Sequence, residues 1–104
     1  MRLLLSALIF LALAFPAAAD PIVILLRDNQ FQPAEVSVPA GVKIELSIKN
    51  EQTKPAEFES SSLHREKVVG PGAAVSIFVG PLAPGRYEFF DDFNRAARGV
   101  LVAK

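Results

Sequence analysis

From Pro21 onward, proline and glycine punctuate the chain at spacings of roughly 8–12 residues, and the stretches between them are short and apolar. This rhythm constrains the fold more than any other feature. No segment of this part sustains a 3.6-residue apolar period over ten residues, so long helices are excluded and strands remain. The pattern predicts strands over 21–27, 34–38, 42–49, 56–60, 75–79, 87–93 and 99–103, with 63–69 as a further strand or an irregular bridge. In 42–49 apolar and polar residues alternate, which points Val42, Ile44, Leu46 and Ile48 inward. Val75, Ile77 and Val79 alternate in the same way. Asp28-Asn29-Gln30, Pro39-Ala40-Gly41 and Gly70-Pro71-Gly72 are turns, and the polar stretch 50–54 loops out. Pro81-Leu82-Ala83-Pro84-Gly85 is a rigid corner feeding Tyr87, the placement of the tyrosine corner in Greek-key sandwiches. The expected fold is an all-β Greek-key β-sandwich of seven or eight strands.

The first residues belong to a different regime. Met1-Arg2 is a short positive start, residues 3–15 are almost wholly apolar, Pro16 breaks the run, and Ala17-Ala18-Ala19 offers small residues for cleavage. This is the pattern of a secretory signal peptide over 1–19. The apolar run is too short to cross a bilayer, which takes about 20 residues. Residues 20–104 then form one small domain. It has no cysteine, which removes disulfides, zinc ribbons, iron–sulfur clusters and cysteine-ligated copper. An exported chain without disulfides fits a bacterial periplasm. Acidic and basic side chains nearly balance, and no basic stripe interleaved with aromatics is present, so nucleic acid is excluded as a partner.

Two acidic clusters carry the candidate chemistry. Tyr87-Glu88-Phe89-Phe90-Asp91-Asp92-Phe93 reads as an aromatic strand ending in paired carboxylates, and a strand end is a rigid place to hold a ligand. Upstream, Glu57 and Glu59 are two apart and share one face of a strand, while Phe58 points to the core. Glu66 lies on the next predicted strand. If the fold unites the clusters, they form an oxygen-rich site for a hard cation. Asp91 and Asp92 point to opposite faces of an extended strand, so only one of them faces such a site. Pairing of the acids with Arg65, Lys67, Arg95 and Arg98 is the competing reading. His64, the single histidine, is a further metal-ligand candidate in a charged stretch. No nucleophilic triad, glycine-rich phosphate loop or blue-copper ligand set of two histidines, a cysteine and a methionine can be assembled.

Several segments taken in order resemble a known family. Phe31-Gln32-Pro33, Val36-x-Val38-Pro39-Ala40-Gly41 and Ile48-Lys49-Asn50 resemble a cupredoxin opening. Glu57-Phe58-Glu59, Pro71-Gly72, Pro84-Gly85-x-Tyr87 and Gly99-Val100-Leu101-Val102 continue the match. Together they resemble the EfeO-type cupredoxin-like domain, and most closely the small periplasmic cupredoxin of FtrABCD-type ferrous-iron transport systems. The resemblance implies a periplasmic protein that binds iron or copper in bacterial iron uptake. It implies assistance to Fe(II) oxidation, or hand-over to an iron permease alongside a P19-type periplasmic iron-binding protein. It also places the metal at one end of the sandwich, where Glu57, Glu59 and residues 91–98 fall. EfeO-type domains carry cysteines at the positions of Phe31 and Asp91, so this chain exchanges a soft site for a carboxylate one. The expected ligands are Glu57 and Asp91 first, then Glu59, Glu66 and Asp92, then His64. The alternative function is a metal-free interaction module that docks on a membrane transporter or another partner, with Phe90 and Phe93 as anchors.

Overall fold

A computed structural model of the chain describes residues 20–104, together with Ser6, Ala7 and Ile9. The expected signal peptide, 1–19, otherwise lies outside the described residues. Nine strands form: β1 (Ile22–Arg27), β2 (Gln30–Gln32), β3 (Glu35–Val38), β4 (Ile44–Asn50), β5 (Ala56–Ser60), β6 (Arg65–Val69), β7 (Ala74–Val79), β8 (Gly85–Asp91) and β9 (Asn94–Ala103). They make a four-stranded sheet in the order β2-β1-β4-β7 and a five-stranded sheet in the order β3-β9-β8-β5-β6. β1 with β4 and β3 with β9 run parallel, and the other neighbours run antiparallel. No helix occurs among the described residues.

The alternation seen in the sequence builds one core between the sheets. Ile24, Leu26, Leu46 and Ile48 of the first sheet meet Val36, Phe58, Phe89 and Leu101 of the second, all fully or almost fully buried. Among the described residues every core side chain lies between residues 22 and 103, so residues 20–104 carry a contiguous core. Phe89 is its centre: Phe58 stacks on it at 5.1 Å and Phe31 meets it edge-on at 4.9 Å. The ring occupies the space above Gly99, where a Cβ would come within 2.3 Å of it, so this position admits no side chain. The Tyr87 hydroxyl donates to the Ala83 carbonyl at 2.8 Å, the expected corner bond.

Local expectations change at β2 and Val42, and of the two readings of 63–69 the strand is the one that forms. The ninth strand is β2, joined to β1 by Asp28 and Asn29, both at positive φ, in a two-residue hairpin turn. Three residues are too few to show an alternating pattern. The 63–69 segment contains a regular strand, β6. Val42 precedes β4 instead of lying in it and is about half exposed, because the turn at Gly41 (φ +77) delays entry into the strand.

Asn50 does not loop out with the polar stretch that follows it. It ends β4, is completely buried, and ties the loop down through bonds from its amide to the carbonyls of Lys54, Val69 and Gly70.

Candidate metal centre

β5 lies between β6 and β8, and this position brings the two acidic clusters together. Glu57 and Glu59 point away from the core on the outer face of the five-stranded sheet, with Phe58 buried between them. Glu66 stands directly across from Glu59 in the β5–β6 register. Asp92 arrives from the other side, where its backbone N–H donates to the Glu57 carbonyl at 2.8 Å. One carboxylate oxygen from each of Glu57, Glu59 and Asp92 lies within 4.8 Å of the other two.

Asp92 owes its position to an irregularity the sequence does not announce. Phe90 pairs with Arg98, but the next residue, Asp91, pairs with Asn94, so β9 bulges over residues 95–97. The bulge folds Arg95 back onto Asp92, with Nε at 3.0 Å and Nη2 at 2.9 Å from Oδ1.

Asp91, expected among the first ligands, does not join the group. It pairs with Phe58, shares that residue's inward direction, and is 1% exposed. Its Oδ1 accepts from the backbone N–H of Glu57 at 2.9 Å and of Phe93 at 3.0 Å. Its charge is answered by the backbone, and it pins the end of β8 to the start of β5. His64 sits in the β5–β6 turn at φ 54, exposed, lining a shallow recess with Glu59 and Glu66. It stands near the three carboxylates without belonging to them. Of the four basic residues expected to pair with the acids, only Arg95 makes an ion pair among the described residues. Arg65 instead donates to the carbonyls of Phe78 and His64, and Arg98 lies over the Phe90 ring.

The electrostatics follow from four acids facing one another with, among the described residues, the Arg95 guanidinium alone paired to them. The Glu57 carboxyl is pushed from 4.5 up to about 7, first by a hydrogen bond with Glu66, then by burial, then by the charges of Glu66, Asp92 and Glu59. The Glu59 carboxyl is also raised, chiefly by burial, then by the charges of Asp92 and Glu66, with Arg95 opposing. A cation among these oxygens removes the repulsion. The donor set therefore fits a hard cation. It does not fit a blue-copper centre, for which the chain lacks cysteine and a second histidine.

Comparison with known proteins now bears on the fold. The sequence model of the cupredoxin-like domain matches residues 1–103. The chain belongs to the cupredoxin-like domain family. It is 44% identical over 80 residues to the protein RP394 of Rickettsia prowazekii (strain Madrid E), covering 76% of this chain and 64% of that one. The chain thus spans somewhat less than two thirds of this relative. Among solved structures it resembles the metal-binding domain of the Streptococcus pneumoniae Cu(I)-exporting P-type ATPase CopA with Cu(I). That match has a TM-score of 0.73 and 17% identity, over 81% of this chain and 84% of that domain. It also resembles amicyanin from Paracoccus versutus, with a TM-score of 0.67, 17% identity and 86% of each chain covered. A purple cupredoxin from Nitrosopumilus maritimus gives a TM-score of 0.65 at 13% identity, over 80% of this chain and 99% of that one. At these identities the structures show a common fold.

Proposed function

We propose that this cupredoxin-like chain is a periplasmic metal-binding protein that holds a hard cation on Glu57, Glu59 and Asp92, with Glu66 beside them. One observation carries the reading: three carboxylates converge within 4.8 Å on a sheet face while, among the described residues, only Arg95 pairs with them. Oxygen donors select Fe(III), Fe(II), Mn(II) or Cu(II) over Cu(I), whose preference is for sulfur. Iron is the first candidate, because the ordered motifs resemble the EfeO-type domain of iron uptake systems. Anionic oxygens hold Fe(III) more firmly than Fe(II), so a bound iron is easier to oxidise. The protein's own part is to fix the carboxylates, and Asp91 does this from behind by holding β5 against the end of β8. An iron permease and a P19-type iron-binding protein are the partners this reading implies. The signal-peptide pattern of 1–19 supports the periplasmic location.

Calorimetric titration of residues 20–104 with Mn(II), Cu(II) and anaerobic Fe(II) tests the site, with Glu57→Gln/Glu59→Gln alongside. The expected result is micromolar binding of about −8 kcal/mol that the double variant weakens at least tenfold, about 1.4 kcal/mol. Absence of binding by the unaltered protein discards the metal reading. It favours the docking module instead; of its two expected anchors Phe93 is about half exposed while Phe90 lies under Arg98, and the half-exposed Val68 joins Phe93. Such a charge-steered contact weakens with added salt.

A further inference from the structure

The outer face of the five-stranded sheet carries a second arrangement beside the carboxylates. Arg86, Glu88 and Phe90 alternate with the buried Phe89 along β8 and so share that face. Arg98 is the register partner of Phe90, and its guanidinium lies over the ring at 5.0 Å. With Ser61 and Ser62 of the β5–β6 turn, these residues line a cleft of about 460 Å³. That volume lies within the ordinary range for a small-molecule site.

The order of charges along the cleft is specific. Arg98 forms no ion pair among the described residues, and its guanidinium, over the Phe90 ring, is available for two-point contact with a carboxylate. At the other end, Arg86 makes only a 3.4 Å contact with the exposed Glu35. The Cα atoms of Arg86 and Phe90 stand roughly 13 Å apart by the rise of a strand, a span two long side chains can close around a small molecule. Between them Glu88 offers an acceptor and no donor. The complement of cation, acceptor, cation is a molecule with a carboxylate at each end and a hydroxyl donor between them.

The geometry points to a binding cleft for a small hydroxycarboxylate, formed by Arg86, Glu88, Phe90 and Arg98 with Ser61 and Ser62 at its wall. Its carboxylates lie on the two guanidinium groups and its hydroxyl donates to Glu88. The cleft adjoins the carboxylate site, since Glu66, Glu59, Phe90 and Arg98 form one row across four neighbouring strands. Hydroxycarboxylates chelate hard cations. Resting on the metal reading above, the row holds a cation and its chelator side by side, and the cation is accepted as such a complex.

Citrate is the probe, titrated into metal-free protein spanning 20–104, which carries the contiguous core. Calorimetry is paired with amide NMR, and tricarballylate, which is citrate without the hydroxyl, is the comparator. Citrate is expected to bind and to shift the amides of 86–90 and 98–100. Tricarballylate is expected to bind more weakly. Arg98→Ala is expected to weaken citrate at least tenfold, the scale of a lost charge-assisted pair, with Arg98→Lys recovering only part of it. No binding at about 10 mM citrate, weaker than any useful affinity, overturns the cleft, as does binding that Arg98→Ala leaves unchanged. Cation titration of Arg98→Ala separates the two readings. Cation binding without a citrate site sinks only the cleft, and citrate binding without a cation site sinks only the metal reading.

Discussion

Asp91 and Asp92 are chain neighbours on opposite faces of one sheet, and they differ in what answers their charge. Behind the sheet, Asp91 accepts two backbone N–H groups in an almost dry position and joins two strands. In front of it, Asp92 faces Glu57 and Glu59, and Arg95 is the one basic group paired with it. Two backbone N–H groups hold the inner carboxylate through Oδ1. The outer ones are held by the same strands, but their charges repel one another. A buried acid with donors is stabilised by the protein itself, whereas acids gathered without donors repel one another until a proton or a cation answers their charge.

The strongest way to break this comparison is Asp91→Ala. It orphans two backbone donors, and the expected loss is about 3 kcal/mol of stability in urea unfolding. Asp91→Asn, which keeps an acceptor oxygen, is expected to lose less. A stable Asp91→Ala variant that fails to bind cations would move Asp91 into the site and end the distinction.

The pH dependence of the metal-free protein sharpens it. Glu57 holds its proton more tightly folded than unfolded, with the carboxyl raised from 4.5 to about 7, and Glu59 moves in the same direction. Between those pH values the folded chain carries more protons than the unfolded one. The contribution of Glu57 to stability is therefore full below pH 4.5 and lost as pH rises through about 7, and that of Glu59 runs in the same direction. Thermal unfolding is expected at a higher temperature at pH 5 than at pH 8, and Glu57→Gln is expected to flatten the difference. A saturating cation reverses the trend, because it binds the deprotonated acids.

The smallest effect belongs to Arg95→Ala. Its exposed pair with Asp92 contributes under about 1 kcal/mol, so unfolding should barely change. Cation affinity is expected to rise a few-fold, because Asp92 Oδ1 loses its internal competitor. A fall in affinity would show that Arg95 positions Asp92 rather than competing for it.

Much of this was legible in the residues. Alternation and turn chemistry specify the all-β fold, and two-residue spacing puts Glu57 and Glu59 on one face with Phe58 beneath. Adjacency also shows that Asp91 and Asp92 point opposite ways. Which of them faces the site was not legible, because that depends on the register of β8 against β5 and on a bulge in β9. The hairpin strand β2 was too short to leave a pattern. Asn50 looked like a loop residue, because burial of a polar side chain depends on carbonyls of 69 and 70 that only the fold delivers. The cleft at Arg86 and Arg98 was equally silent, since its pieces come from β8, β9 and the turn after β5.

The parallel pairing of β3 with β9 sets Glu35 against Val100, and β9 also pairs with β8. Contacts so distant along the chain are slow to form, because a long loop must close before they are rewarded. The five-stranded sheet thus waits for the last strand in chain order. β9 follows β8 through a two-residue turn, so their pairing is local, whereas β3 has no neighbour in the sheet until β9 reaches it, and an open strand edge is the kind of surface on which chains associate with one another. The long β3–β9 closure, carried by Asn94–Ala103, is therefore what covers the edge of β3.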